Sequence, residues 1–283
     1  MTLSLGLQLW SVRNSLQEDY AGTLDKVAAA GYKNVELICS VTPSGLVFGK
    51  DMRGPDVRKL LDASGLRAVS CHFVPTPDMS LAAIVDDLNA AGADSLGCAI
   101  AFWQNQDEVK AFCEAFNQYA EVTKQGGVQL YYHNHFEEFQ VFGDKSAYDL
   151  LIERLDPALV KFEFDTFWAV RGGQDPVYWL KKLGKRCDLI HQKDMPAAAS
   201  PVNLFEKYGY DTPITIDVLW PLQSPDQFGE IGTGVLPIAS YLKAARTYND
   251  ARYVFVEQDV TALPEIESVA VSYVNLTKLL AEN

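Results

Sequence analysis

The sequence predicts an α/β fold: one single-domain (β/α)8 barrel spanning residues 1–283. Three observations predict it. Eight short apolar or β-branched runs alternate with eight amphipathic stretches of helix length. The units recur at roughly 35 residues, the spacing of repeated strand–helix pairs that close a parallel sheet on itself. No Gly-x-Gly-x-x-Gly follows the first run, which removes the main signature of an open dinucleotide-binding sheet.

The expected strands are 3–10, 34–39, 67–73, 95–102, 128–135, 160–167, 187–193 and 252–258. The expected helices are 20–30, 55–64, 81–91, 106–124, 146–155, 176–183, 237–247 and 266–280. Gly31, Gly65, Gly92 and Gly184 stand just past helix ends, where a residue of left-handed backbone closes the last turn. One stretch breaks the rhythm: residues 195–235, after the seventh strand, are rich in Pro, Ser and Asp. A loop that long in a barrel belongs on the C-terminal face, where active sites form. Its Leu219-Trp220-Pro221-Leu222 run is expected to be a lid or a subunit contact, so a homo-oligomer stays open.

Composition narrows the function. Of 283 residues, 48% are hydrophobic, enough for a sizeable core. The net charge of −13 repels phosphate backbones and anionic bilayers, so neither nucleic acid nor a membrane is expected as partner. No apolar run reaches bilayer length, and MTLSLGLQLWSVR lacks the basic start of a secretory leader. Five cysteines without a Cys-x-x-Cys pair supply no disulfide framework. A cytoplasmic protein with reduced thiols is the expectation.

The polar residues are unevenly placed. Side chains two apart on a strand share a face. His133 and His135 share one in the fifth strand, Lys161, Glu163 and Asp165 in the sixth, His191 and Lys193 in the seventh, Glu257 and Asp259 in the eighth. Phe162 and Phe164 occupy the other face of the sixth, so the charges point into the barrel. His72 ends the third strand and Glu36 sits in the second. All four histidines thus fall near strand C-termini. Buried charges are costly unless paired or bound to metal, so this convergence marks a site at the barrel mouth.

With these residues assembled, the chain resembles the sugar phosphate isomerase/epimerase family, the xylose isomerase-like TIM barrels. The matching motifs run from about residue 4 to residue 280: GLQLWSVR, VEL at 35–37, YHNHFEEF at 132–139, EFDTFWAVRGGQDPVYWL, HQKDM, GTG at 232–234 and VEQD at 256–259. The resemblance implies one divalent metal ion (Mn, Co, Zn, Fe or Mg) held by Glu138, Asp165, His191 and Glu257, with His135 as the alternative ligand from the fifth strand. It implies isomerisation or epimerisation of a sugar, keto-sugar or polyol-derived ketone, by proton abstraction alpha to a carbonyl through an enediolate.

Glu138 and Glu257 would be the acid–base pair, with His135 and Lys193 as further catalytic groups. Glu36, His72, His133, Arg171, Trp10 and Trp168 would bind substrate, with Trp103 as a further apolar wall. Asp194 would orient His191. The GTG is either a phosphate cradle at a helix start or a tight turn. A dehydratase or lyase of the same fold, acting on a ketocyclitol or 3-keto-glycoside, is an alternative. An abasic-DNA nuclease is disfavoured by the charge and by having only four histidines. A non-catalytic sugar-binding subunit would bind ligand without turnover.

Overall fold

A computed structural model describes residues 3–282. The barrel strands are β1 Ser4–Gln8, β2 Asn34–Ile38, β3 Arg67–Phe73, β4 Ser95–Cys98, β5 Gln129–His133, β6 Val160–Asp165, β7 Cys187–Gln192 and β8 Tyr253–Val256. They close in the order β1-β8-β7-β6-β5-β4-β3-β2, and every neighbouring pair is parallel. The expected single (β/α)8 barrel is the observed architecture.

The outer layer holds helices α1 Tyr20–Ala29, α2 Gly54–Ser64, α3 Leu81–Ala91, α4 Gln106–Gln125, α5 Ala147–Arg154, α6 Pro176–Leu183, α7 Ile238–Tyr248 and α8 Glu265–Glu282. Their starts are capped by side chains read directly from sequence. Asp19, Ser80, Asn105, Ser146 and Asp175 each accept a backbone N–H from the first turn. Gly65 and Gly92 close α2 and α3 in the left-handed conformation. Gly184 instead opens a short 3-10 turn, Gly184–Arg186, that leads into β7.

Several strands stop earlier than expected. β1 ends at Gln8 because the chain turns into a 3-10 helix, Leu9–Val12, whose first turn is capped when the Gln8 side chain accepts from Trp10 N. Two small hairpins went unread: Ser40–Thr42 with Gly45–Val47, and Val141–Phe142 with Lys145–Ser146. The 195–235 stretch contains helical turns at Phe205–Tyr208, Ile216–Leu219 and Trp220–Leu222.

The two faces of the strands separate as the alternation requires. Phe162 and Phe164 pack in the main core between strands and helices. Val69, Tyr131, Leu189 and Phe255, from four strands, form a separate apolar plug within the barrel. Above it the interior turns polar. The phase of β3 shifts on the way up. Ala68 pairs with Val35 and Ser70 with Glu36, so Val69 is an extra residue and the strand carries a bulge. The bulge lets both Val69 and, three residues on, His72 face inward.

Gly97 on β4 makes room for this polar layer. A Cβ there would lie 2.9 Å from His72 Cδ2 and 3.3 Å from Glu163 Oε2. Gly97→Ala is expected to push the imidazole off its carboxylate and to cost about 1–3 kcal/mol, the usual penalty of overpacking. Urea titration of the variant beside the wild type measures this; equal midpoints and slopes would show that the ring moves freely.

Candidate active site

Inward-facing polar side chains from seven strands or their C-terminal ends meet above the apolar plug. Glu163 lies at the centre of the lower layer. His72 Nε2 is 2.6 Å from Glu163 Oε2, His133 Nδ1 is 3.6 Å from the same atom, and His191 Nε2 is 3.4 Å from Oε1. Glu36 Oε2 accepts from Gln8 Nε2 at 2.6 Å and lies 2.7 Å from His191 Nε2. His191 is therefore held at both ring nitrogens, because Nδ1 lies 2.8 Å from Glu257 Oε2.

The upper layer is organised by Lys193, which is fully buried. Its ammonium donates to Asp165 Oδ2 at 2.5 Å and to Glu257 Oε2, and lies 3.7 Å from Asp259. A buried cation among carboxylates sets their protonation. Burial pushes Glu257 up, yet Lys193 and His191 outweigh it and hold the carboxyl well below its ordinary range. Glu163 is likewise held ionised against burial by His191 and His72. Burial lowers His72 and His191, but the carboxylates around them reverse the sign and favour the imidazolium. His133 goes the other way: burial and the neighbouring His191 and His72 charges lower it well below 6.5, so it is a neutral imidazole. His135 is pushed down to about 3, by burial first and Lys193 second. Asp259 is pushed up to about 7 by burial, despite Lys193.

Two overlapping groups have the spacing of a metal site. One is His133, Asp165, His191 and Glu257; the other is His72, His133, Glu163 and His191; within each, one ligand atom per residue lies within 4.8 Å of the others. The first has two imidazoles and two carboxylates, a donor set that suits Mn, Co, Zn or Fe. His133 Nδ1 is buried without a hydrogen-bond partner. These residues fit a divalent cation.

The sequence-derived candidates divide accordingly. Asp165, His191 and Glu257 come together; the member from β5 is His133. Glu138 stands apart. It lies in a 3-10 turn, Glu137–Phe139, where its oxygens accept from Tyr132 O–H at 2.7 Å and His135 N–H at 2.8 Å. Tyr132 faces the helix layer, against Trp103 and Phe116. His135 lies outside both metal-spaced groups but lines the cavity above them.

That cavity is about 250 Å³. His72, His133, His135, Glu257 and Asp259 form its polar floor; Trp10, Ile38, Phe73 and Ile100 form walls, and Ile216, Leu219, Trp220 and Gln223 reach over it from the long loop. Glu36 lies beneath the cavity rather than on its wall. Trp168 packs on His135 at 5.2 Å between ring centres, behind the lining. Trp103 sits in the helix-side core. Arg171 is buried and secures the loop: its Nη2 donates to Gln227 Oε1 at 2.8 Å, and its carbonyl accepts Leu204 N–H at 2.7 Å.

Asp194 does not touch His191's ring nitrogens, which are held by Glu36 and Glu257. Its carboxylate accepts N–H groups of Gly232, Gly234 and Leu236 at 2.9, 3.0 and 3.1 Å. The GTG amides at 232 and 234 are thereby taken by the protein's own carboxylate, so the motif is an internal turn rather than a phosphate cradle. Two groups escaped the sequence reading of the site. Glu163 was placed inward by alternation but given no role, because its partners come from β3, β5 and β7. Asp259 likewise shared a face with Glu257, and its Oδ2 is buried without a hydrogen-bond partner.

The family description "Xylose isomerase-like TIM barrel" matches residues 24–269, and the chain belongs to that family. Among solved structures, a sugar phosphate isomerase/epimerase from Parabacteroides distasonis superposes with TM-score 0.74 at 23% identity, covering 99% of this chain and 96% of the other. A D-allulose 3-epimerase from Methylomonas sp. superposes with TM-score 0.66 at 12% identity, covering 98% of each. Among curated sequences, an inosose dehydratase from Clostridium beijerinckii is 23% identical over 64% of this chain and 65% of its own length. One from Mesomycoplasma hyopneumoniae is 32% identical over 33% of this chain and 30% of its own. The chain thus spans less than two thirds of these curated relatives. No described helix is long and apolar enough to cross a membrane.

Lys193→Met should strand Asp165 and Glu257 as buried, unbalanced charges. A loss of about 3–5 kcal/mol is expected in metal-free protein, the usual cost of breaking a buried ion pair from one side. Added Mn2+ should recover part of it. Denaturant titration with and without the ion checks both, and a variant as stable as the wild type would remove Lys193 from its organising role.

Proposed function

We propose that the chain is a metal-dependent enzyme that moves a proton alpha to the carbonyl of a sugar, keto-sugar or polyol-derived ketone. The observation that carries this reading is the pairing of a cation-spaced His133/Asp165/His191/Glu257 set with a small cavity directly above it. Isomerisation or epimerisation is the first reading. Dehydration of a ketocyclitol is the second, favoured by the inosose dehydratases among the sequence relatives. Both reactions begin with the same proton abstraction.

A divalent ion in the four-residue set would act as a Lewis acid that polarises the carbonyl and acidifies the neighbouring C–H. The chain supplies the rest. Lys193 and His191 keep Glu257 ionised, and Glu257 lines the cavity, so it is the group that accepts the proton. His72 and His135 face the same space and position substrate hydroxyls. The loop over the mouth excludes water. Glu138 does not line the cavity, and its oxygens accept from Tyr132 O–H and His135 N–H; on this reading it fixes the turn that carries His135.

Glu36 aims the ring of His191. By accepting at Nε2 it leaves Nδ1 for the cation, the arrangement by which a carboxylate orients a metal-bound imidazole. Glu36→Gln should weaken Mn2+ or Co2+ affinity by about 10–100-fold. Titration calorimetry measures it, and unchanged affinity would return Glu36 to a purely structural role.

The reading as a whole is tested by incubating the Mn2+-supplemented protein with ketoses and inososes in deuterium oxide. Deuterium should enter carbon alpha to the carbonyl, with epimer or dehydrated product accumulating, and Asp165→Asn should abolish both. Ligand binding without exchange on any of these substrates would favour a sugar-binding subunit instead.

A further inference from the structure

The polar groups of the cavity are confined to one end. His72, His133, His135, Glu257 and Asp259 occupy the floor, whereas the outer wall is made by Trp10, Ile38, Phe73, Ile100, Leu219 and other apolar side chains. Gln223 is the one polar side chain contributed by the loop, and its Oε1 is buried without a partner. No Lys or Arg lines the cavity among the described residues. Three large apolar side chains on the rim remain exposed: Trp220 at 61%, Val74 at 48% and Ile216 at 46%. They come from two separate parts of the chain and converge on one opening, so they form a patch rather than scattered surface residues.

Size gives the same direction. The cavity volume of about 250 Å³ lies below the roughly 300–1,000 Å³ usual for sites that take a drug-sized ligand. It suits a compact polyhydroxyl head. Whatever is attached to that head emerges between Val74, Ile216 and Trp220, three apolar side chains, with the Gln223 amide beside them. A phosphate emerging there would meet no Lys or Arg on the lining, since Arg13 is stacked on Trp10, 4.3 Å from its ring centre, and is not part of that lining.

We infer that the substrate is a sugar or cyclitol head bearing an uncharged, apolar substituent, and that the Ile216–Trp220 segment with Val74 recognises that substituent. This inference rests on the proposed function and narrows its substrate class. The loop is then a selector of what is attached to the reacting ring, separate from the floor that handles the ring itself.

The test uses matched probes: methyl and phenyl β-D-glucopyranosides, and the corresponding galactopyranosides, bound to the Mn2+-supplemented full chain and followed by calorimetry. The phenyl member of at least one pair should bind at least tenfold tighter than its methyl partner. Trp220→Ala, checked for folding by circular dichroism, should bring that ratio close to one; Ile216→Ser should reduce it. Equal affinities within every pair, or a tenfold preference that survives both substitutions, overturn the inference while leaving the sugar reading in place. Failure of all four probes to bind counts against the sugar reading and removes this inference with it. Light scattering provides the remaining arm: a dimer that Trp220→Glu dissociates would show that a second copy of the chain covers the rim, which also overturns it.

Discussion

A single buried ammonium carries much of the electrostatic burden of this barrel. Lys193 sits where Asp165, Glu257 and Asp259 converge, with Glu36 and Glu163 one layer below. Five carboxylates in a water-poor interior repel each other, and burial penalises every one of them. Lys193 balances the upper layer, while His72 and His191 balance the lower. The arrangement explains why the imidazoles divide: with His72 and His191 favoured as cations, His133 and His135 stay neutral, and His133 keeps a lone pair available. The same residues that make the interior tolerable as a folded structure also make it receptive to a divalent ion.

The fold was largely legible because its rules are local. Strand–helix alternation, side-chain caps and the glycines after α2 and α3 each depend on a few neighbouring residues. The inward placement of Glu163, Asp165, His191 and Lys193 followed from period two alone. The reading weakened where regular strand geometry stops. β5 ends at His133, so alternation says nothing about Glu138, whose direction is set by a 3-10 turn and a bond from Tyr132. The resemblance to relatives pointed to Glu138 or His135 from this part of the chain, whereas the β5 residue within metal-ligand spacing of Asp165, His191 and Glu257 is His133. Roles that depend on distant partners were also out of reach: Glu163 meets His72 across 91 positions, and Asp194 meets Gly232 across 38.

Asp194 shows how a motif changes meaning when its partner is known. Read alone, GTG before a helix suggests an anion site. In the structure the anion is already present, covalently part of the chain and placed one residue after Lys193. This internal carboxylate ties the end of β7 to the start of α7. It leaves the electrostatics of the mouth to the histidines and carboxylates of the floor, in keeping with a cavity that no Lys or Arg lines among the described residues.

The clasp has a further consequence. The Asp194 carboxylate accepts N–H groups from Gly232, Gly234 and Leu236, Gly229 N donates to the Asp194 carbonyl at 2.9 Å, and Val235 N donates to the Met195 carbonyl at 2.9 Å. The two ends of the long excursion are therefore sewn together at its base. Between them the excursion is pinned again, by Arg171 to Leu204 and Gln227 and by Gln140 to Ile214, so only the exposed side chains at its tip stand clear of the barrel. Exposed residues there, such as Ile216 and Trp220, can change in kind while β7 and α7 keep their spacing and the floor keeps its charges. Ligand choice on this scaffold would then diversify by changing a few tip side chains, with the frame beneath them unchanged.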